Sequence, residues 1–92
     1  MSVVAGRRTI TSTPVKISGV ETDNSAGHSI AVKNIGSDIV YIGGSSTVSS
    51  LTGWALASGE SISLDGLFNG EELWAVCATS ITSTISTFES GL

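Results

Sequence analysis

The chain is poor in the residues that carry catalytic and metal chemistry. Its 92 residues include one cysteine, Cys77, and one histidine, His28. A single cysteine cannot form an internal disulfide, and a structural zinc site needs several Cys or His ligands. Nucleophilic catalysis by a serine needs a base in reach, and no Gly-x-Ser-x-Gly elbow is present. We therefore expect no enzyme activity and no cofactor or metal, with His28 at a strand edge and Cys77 as a buried thiol.

Charged residues are also scarce. Lys, Arg, Asp and Glu make up 13% of the chain, and the formal net charge is −4. Nucleic-acid binding needs clustered Lys and Arg, so this composition predicts no nucleic-acid partner. The adjacent Arg7 and Arg8 are a candidate contact for an acidic protein surface. A hydroxyl-rich surface with few charges can pack against another protein without burying unpaired charges, so the composition is compatible with extensive protein contact. A stable monomer with a nearly neutral surface is the alternative.

The acidic residues and the glycine-rich run do not match known ligand-binding motifs. No Asp-x-Asp-x-Asp calcium loop is present, and we expect Asp38, Asp65, Glu71 and Glu72 to flank strands and discourage edge pairing. The Gly-Gly-Ser-Ser run at 43–46 lacks the lysine and the helix of a phosphate loop. It is predicted to be a flexible turn.

Long hydrophobic runs are missing. A membrane-spanning helix needs about 20 apolar residues, and no run approaches that length. The N-terminus shows no apolar signal core, because Gly6, Arg7 and Arg8 interrupt it at once. We expect a protein without a membrane partner that is made and kept in the cytoplasm, or that leaves the cell only inside a larger particle.

Short β-rich runs separated by turn signals fill the chain. They predict an all-β fold: a single small β-sandwich or barrel, jelly-roll-like, of about eight short antiparallel strands. We expect one domain over residues 1–92, in which residues 1–14 either contribute a strand or form an extended arm. The predicted strands are 7–12, 15–18, 28–33, 39–42, 54–57, 61–64, 73–78 and 81–89.

Turn residues suggest how these strands connect. The linker 34–38 contains Asn, Gly and Asp, and a second turn is predicted at Ser58-Gly59, so each site predicts a hairpin between its flanking strands. Ile30 and Val32 are expected to share one side of their strand, opposite Ser29, Ala31 and Lys33. Ile62 and Leu64 repeat this pattern in the second hairpin. The run 73–78 is apolar on both faces and predicts a central strand, covered outside by a subunit contact or a loop.

Aromatic residues make up 5% of the chain. In a domain with so few, most are expected to anchor the core, although a spaced set of rings also suits a sugar-binding surface. Trp54 follows a glycine at the end of a long loop, and we single it out as a candidate interaction residue. The aromatic residues are Tyr41, Trp54, Phe68, Trp74 and Phe88.

Three segments, 31–44, 54–65 and 71–78, together resemble small all-β virion proteins of tailed bacteriophages. The shared pattern is a strand, an Asn-x-Gly turn, a Val-Tyr-x-Gly-Gly strand, a Gly-Glu-Ser turn, a Leu-Asp strand end and a Glu-Leu-Trp-Ala strand. The matching residues are Asn34, Gly36, 40–44, Leu56, 59–61, Leu64, Asp65 and 72–75.

The resemblance implies a head decoration (cement) protein on the capsid surface of the virion. It also implies the major capsid protein as partner, a homotrimer, and no small-molecule substrate. Related modules occur in tails, necks and fibres, so a structural module of those parts is the alternative function. A carbohydrate-binding module is a further alternative.

Overall fold

The computed structural model of the protein describes residues 3–19, 28–67 and 71–90, and these residues form eight strands and no helix. The predicted all-β class is confirmed. Residues 20–27, between the second and third predicted strands, and 68–70, between the sixth and seventh, lie outside the described part of the chain. The strands are β1 (Val3–Ile10), β2 (Val15–Gly19), β3 (His28–Asn34), β4 (Val40–Gly43), β5 (Trp54–Leu56), β6 (Ser61–Leu67), β7 (Glu72–Val76) and β8 (Ser83–Ser90).

The strands form two antiparallel four-stranded sheets. Sheet A has the order β1-β8-β3-β6, and sheet B has the order β2-β7-β4-β5. The first strand pairs with the last, the second with the seventh, the third with the sixth and the fourth with the fifth. A long antiparallel hairpin formed by these four strand pairs, when it is folded into two packed sheets, gives this strand order, which is that of a jelly roll. The predicted jelly-roll-like sandwich is therefore confirmed.

The two predicted hairpins are wrong. β3 lies in sheet A and β4 in sheet B, and β5 and β6 are likewise in different sheets. The turn residues do reverse the chain at 34–38 and at 57–60, but each reversal is an arch that carries the chain from one sheet to the other. Turn chemistry specifies a change of direction, whereas the partner in the ladder is set by long-range packing.

The N-terminal residues are a strand of the domain. β1 pairs with β8 along its whole length, from Val3 opposite Ser90 to Ile10 opposite Ser83. Ile10 is fully buried between the sheets, which anchors this strand. The alternative of an extended arm is therefore wrong for residues 3–10.

The hydrophobic core lies between the two sheets. Ile30 and Val32 are buried on β3, while Lys33 is exposed, so the predicted alternation of β3 is confirmed. β7 is an inner strand of sheet B, as predicted from its apolar run. The buried cluster consists of Ile10, Ile17, Ile30, Val32, Val40, Ile42, Leu56, Leu73, Ala75, Cys77 and Ile85.

The loop 44–53 covers part of the outer face of sheet B. A Cβ atom at Gly43 would lie 2.5 Å from Val48 Cγ2, and one at Gly53 would lie 2.7 Å from Tyr41 Cβ. Val48 is buried by this contact. The loop therefore covers the outer side of β4, whereas the subunit contact or loop expected over the outer face of 73–78 stays a prediction.

A buried asparagine joins the arch 34–38 to both sheets. The Asn34 side chain is fully buried. Its Nδ2 donates to the carbonyl oxygens of Asp38 at 2.7 Å and Leu56 at 2.8 Å. Its Oδ1 accepts from Gly36 N and Ser83 Oγ, each at 3.0 Å. The amide thus uses both donor hydrogens and both acceptor lone pairs.

Candidate interaction surfaces

The two adjacent arginines serve different surfaces. Successive side chains of a strand point to opposite faces, so Arg7 and Arg8 diverge. Arg8 lies opposite the buried Ile85, and its Nη1 donates to Lys16 O at 2.7 Å. This bond ties β1, an edge strand of sheet A, to β2, an edge strand of sheet B. Arg7 is exposed on the outer face of sheet A. The pair therefore does not form one basic patch.

Trp54 lies on the interior side of sheet B but is not covered. Its partner across the β4–β5 ladder is Ile42, which is buried, and opposite residues of a ladder share a face. Trp54 itself is 67% exposed. The reason is its position on β5, the edge strand, where the opposing sheet no longer covers it. The sequence prediction that singled out Trp54 is consistent with this exposure.

Trp54 borders a cleft of about 360 Å³ between the sheets. The cleft opens where β6, the edge of sheet A, faces β4, β5 and β7. Ile62 and Leu64 share one side of β6, as predicted, and this side faces the other sheet. They line the open cleft and stay partly exposed. The described lining is almost entirely apolar: Ile42, Gly43, Trp54, Ile62, Ser63, Leu64 and Leu73.

The outer face of sheet A forms a second surface. The register places Arg7, Ser86 and Lys33 in one row across β1, β8 and β3. The next row consists of Ala5, Phe88 and Ala31. Phe88 stands between the two alanines and is 56% exposed.

The expectation that most aromatic residues anchor the core is wrong for those described. None of Tyr41, Trp54, Trp74 and Phe88 belongs to the buried core cluster. Phe88 lies on the outward side of β8, and Trp74 is half-buried on the outward side of β7, where its Nε1 donates to Glu72 Oε1 at 2.8 Å. The core is built instead from aliphatic side chains, which fit the narrow space between two short sheets. Phe68 lies outside the described residues.

Two of the carboxylates have structural partners. Glu60 Oε1 accepts from Ala57 N at 2.7 Å in the β5–β6 arch, and Glu72 lies 3.8 Å from Lys16 Nζ. Burial, together with the negative charge of Asp38, raises the pKa of the Cys77 thiol above its ordinary value of 9.0. Cys77 is therefore a protonated, buried thiol and a poor nucleophile. The His28 side chain lies outside the described part.

The described residues show neither a metal-binding cluster nor a membrane-spanning helix. Within 3–19, 28–67 and 71–90, no group of three or more His, Cys, Asp or Glu side chains is arranged to hold a metal ion. The same ranges contain no helix with the length and apolarity needed to cross a membrane.

Comparison of the chain with protein families, curated proteins and solved structures finds no match. The resemblance of 31–44, 54–65 and 71–78 to phage virion proteins therefore stays a prediction. The features that bear on function are the jelly-roll fold, the Trp54 cleft and the outer face of sheet A.

Proposed function

We propose that the protein is a bacteriophage capsid decoration protein. It binds the outer surface of the head as a homotrimer, with the major capsid protein as partner, and stabilises the shell through protein–protein contacts. The sequence resemblance supports this function. The jelly-roll fold is compatible with it, since viral capsid domains use this architecture, although lectins and cupins use it too.

The Trp54 cleft is the observation that carries the proposal. An exposed tryptophan beside Ile62 and Leu64 is an apolar surface that a partner can cover. A buried tryptophan contributes about 150–250 Å² of contact. Covering the exposed two-thirds of Trp54 would contribute roughly 3–4 kcal/mol before the costs of ordering and association. A surface of this kind suits adhesion.

Adhesion through protein–protein contacts is enough to stabilise a capsid shell. Packaged DNA pushes outward on a phage head, and a protein that bridges neighbouring capsid subunits adds contact area that must be lost before the shell ruptures. Any molecule that binds only the assembled state stabilises that state by mass action. Such a role needs many copies and well-packed apolar contacts.

The test is co-sedimentation of the purified protein with expanded heads and, separately, with tails. We expect saturable binding to heads. Trp54→Ala should weaken that binding about tenfold or more, because a central aromatic anchor is lost. Leu51→Ala is the matched control, since Leu51 is 94% exposed on the nearby loop and lies outside the cleft lining. Binding to tails alone would support the tail, neck or fibre module, and binding to neither particle would overturn the phage assignment.

The exposure of Trp54 also favours a carbohydrate-binding module as a second candidate, because a sugar ring stacks on an accessible indole. Sugar sites combine such a ring with several placed polar groups. Of the described residues that line the cleft, Ser63 is the only one with a hydroxyl group, and the ladder with Ala31 places that side chain on the outward side of β6. Binding on a glycan array that Trp54→Ala abolishes would support this candidate over the decoration protein.

A further inference from the structure

We infer that the outer face of sheet A docks onto an acidic protein surface through Arg7, Lys33 and Phe88. This inference rests on the proposed function in one respect, namely that the acidic surface belongs to a phage particle. The docking face is distinct from the Trp54 cleft, which opens between the sheets at the β6 edge.

The register brings these three residues together. Arg7 and Lys33 both lie opposite Ser86, one on each side of β8, so the two cations flank a hydroxyl in a single row. Phe88 is two positions further along β8 and therefore points to the same side. Neighbouring strands lie about 4.8 Å apart, which puts the Cα atoms of Arg7 and Lys33 about 10 Å from each other across β8.

The neighbours of Phe88 leave its ring prominent. Ala5 and Ala31 lie directly opposite it on β1 and β3, and their short side chains do not cover an aromatic ring. Ser29, Ser63 and Ser90 occupy outward positions of the same face, and these small polar residues keep it flat. A single large aromatic residue on a flat, hydroxyl-rich platform is a typical anchor of a protein interface.

The distribution of charge selects an acidic partner. The chain carries twice as many acidic as basic residues, 8 against 4, yet two of its four basic residues lie on this face. Of the acidic residues whose side chains the structure describes, the strand positions place only Asp65 on the outer face of sheet A. The others lie in the arches, at the start of β7, or on the inward side of β8: Asp38, Glu60, Glu71, Glu72 and Glu89.

An acidic polypeptide fits this face better than a nucleic acid does. Nucleic-acid binding draws its affinity from clustered Lys and Arg that neutralise several phosphates, and this face offers two cations in a chain of net charge −4. The two cations can pair with carboxylates of a partner protein while the exposed phenyl ring packs against an apolar surface between those carboxylates. The opposite charges would also speed the encounter between partners.

The test measures binding to expanded heads for charge-matched variants. Lys33→Glu changes the docking face, whereas Lys16→Glu makes the same change of charge on β2 of sheet B. We expect Lys33→Glu and Arg7→Glu each to weaken binding about fivefold or more and Phe88→Ala about tenfold or more, with Lys16→Glu within about twofold of wild type. Higher salt should weaken wild-type binding as well. Equal effects of Lys33→Glu and Lys16→Glu would overturn the docking face while leaving the proposed function intact.

A second measurement judges the docking face without any phage particle. The ¹⁵N-labelled protein is titrated with a synthetic peptide of alternating glutamate and leucine. We expect amide shifts concentrated in β1, β3 and β8, and their loss in Lys33→Glu but not in Lys16→Glu. If wild type binds no particle, the proposed function fails, and this titration alone decides the inference. Amide shifts that are absent or spread evenly over the protein would overturn the inference. A change in the oligomeric state of the free protein on Lys33→Glu would also overturn it, because this face would then be a contact between copies of the chain.

Discussion

Replacing Asn34 with alanine should remove much of the stability of the fold. The change deletes the four hydrogen bonds of the side-chain amide, two given and two accepted. Each intramolecular hydrogen bond contributes about 0.5–1.5 kcal/mol net, and a buried group left without a partner costs more. We expect a loss of about 2–5 kcal/mol. A domain of 92 residues has a free energy of unfolding of about 5–14 kcal/mol, so this loss is a large fraction.

Urea unfolding followed by far-UV circular dichroism measures the effect. With an m-value of roughly 1 kcal/mol/M for a domain of this size, the midpoint should fall by about 2 M or more. Ser46→Ala is the control, because Ser46 is exposed in the loop 44–53, and its effect should stay within about 0.5 kcal/mol.

Ser83→Ala separates the shared bond from the rest of the junction. It removes only the donor to Asn34 Oδ1, and we expect a loss of about 1 kcal/mol. The two single losses should sum to more than the loss in the double variant, because both variants break the same bond. A loss under about 1 kcal/mol for Asn34→Ala would refute the reasoning, since the arch would then be held by other contacts.

Three further expectations concern other parts of the fold. Gly36→Ala should destabilise the protein by about 1–3 kcal/mol in the same urea assay, because its Cβ would overlap Ser83 Oγ and force the arch away from β8; an unchanged midpoint would contradict this. Cys77 should react with a thiol reagent only as the protein unfolds, and rapid labelling of the native protein would contradict this. Because the pKa of Cys77 is raised in the folded state, its contribution to the free energy of unfolding should be full below pH 9 and be lost as the pH rises through the folded pKa. A free energy of unfolding that increases from pH 8 to 10 would contradict this second expectation. Trp54→Phe should remove most of the acrylamide-quenchable fluorescence, since the half-buried Trp74 remains, whereas the reverse result would mean that Trp54 is covered.

Local patterns predicted the strands well because each pattern reflects a local cause. The alternation of Ile30 and Val32 with polar neighbours reports a strand with one buried face, and the structure buries both. Gly59 has a φ of 84°, which agrees with the turn predicted at Ser58-Gly59. The apolar run that contains β7 correctly indicated an inner strand.

The sequence could not specify which strands pair. An Asn-x-Gly turn reverses the chain equally well in a hairpin and in an arch between sheets, so the linker 34–38 led to a wrong pairing of β3 with β4. The pairing of β1 with β8 joins residues at the two ends of the chain, and no short-range signal encodes it. The same limit applies to Asn34, which reads as a turn residue until the register brings Leu56 and Ser83 to its side chain.

The candidate surfaces were predictable only in part. The position of Trp54 after a long loop singled it out as a candidate interaction residue, and the structure shows its side chain 67% exposed. Arg7 and Arg8 were predicted together as a contact for an acidic protein surface, but strand alternation places their side chains on different faces. The row of Arg7, Ser86 and Lys33 was not predictable, because it depends on the β1–β8–β3 register.

Co-sedimentation of wild-type protein with purified expanded heads, beside tails and an enzyme-substrate screen, tests the central proposal most directly. If the chain works by adhesion to the capsid, it should bind heads to a fixed number of copies per particle and turn over no substrate. A protein that leaves heads and tails in the supernatant while it converts a small molecule would contradict the proposal.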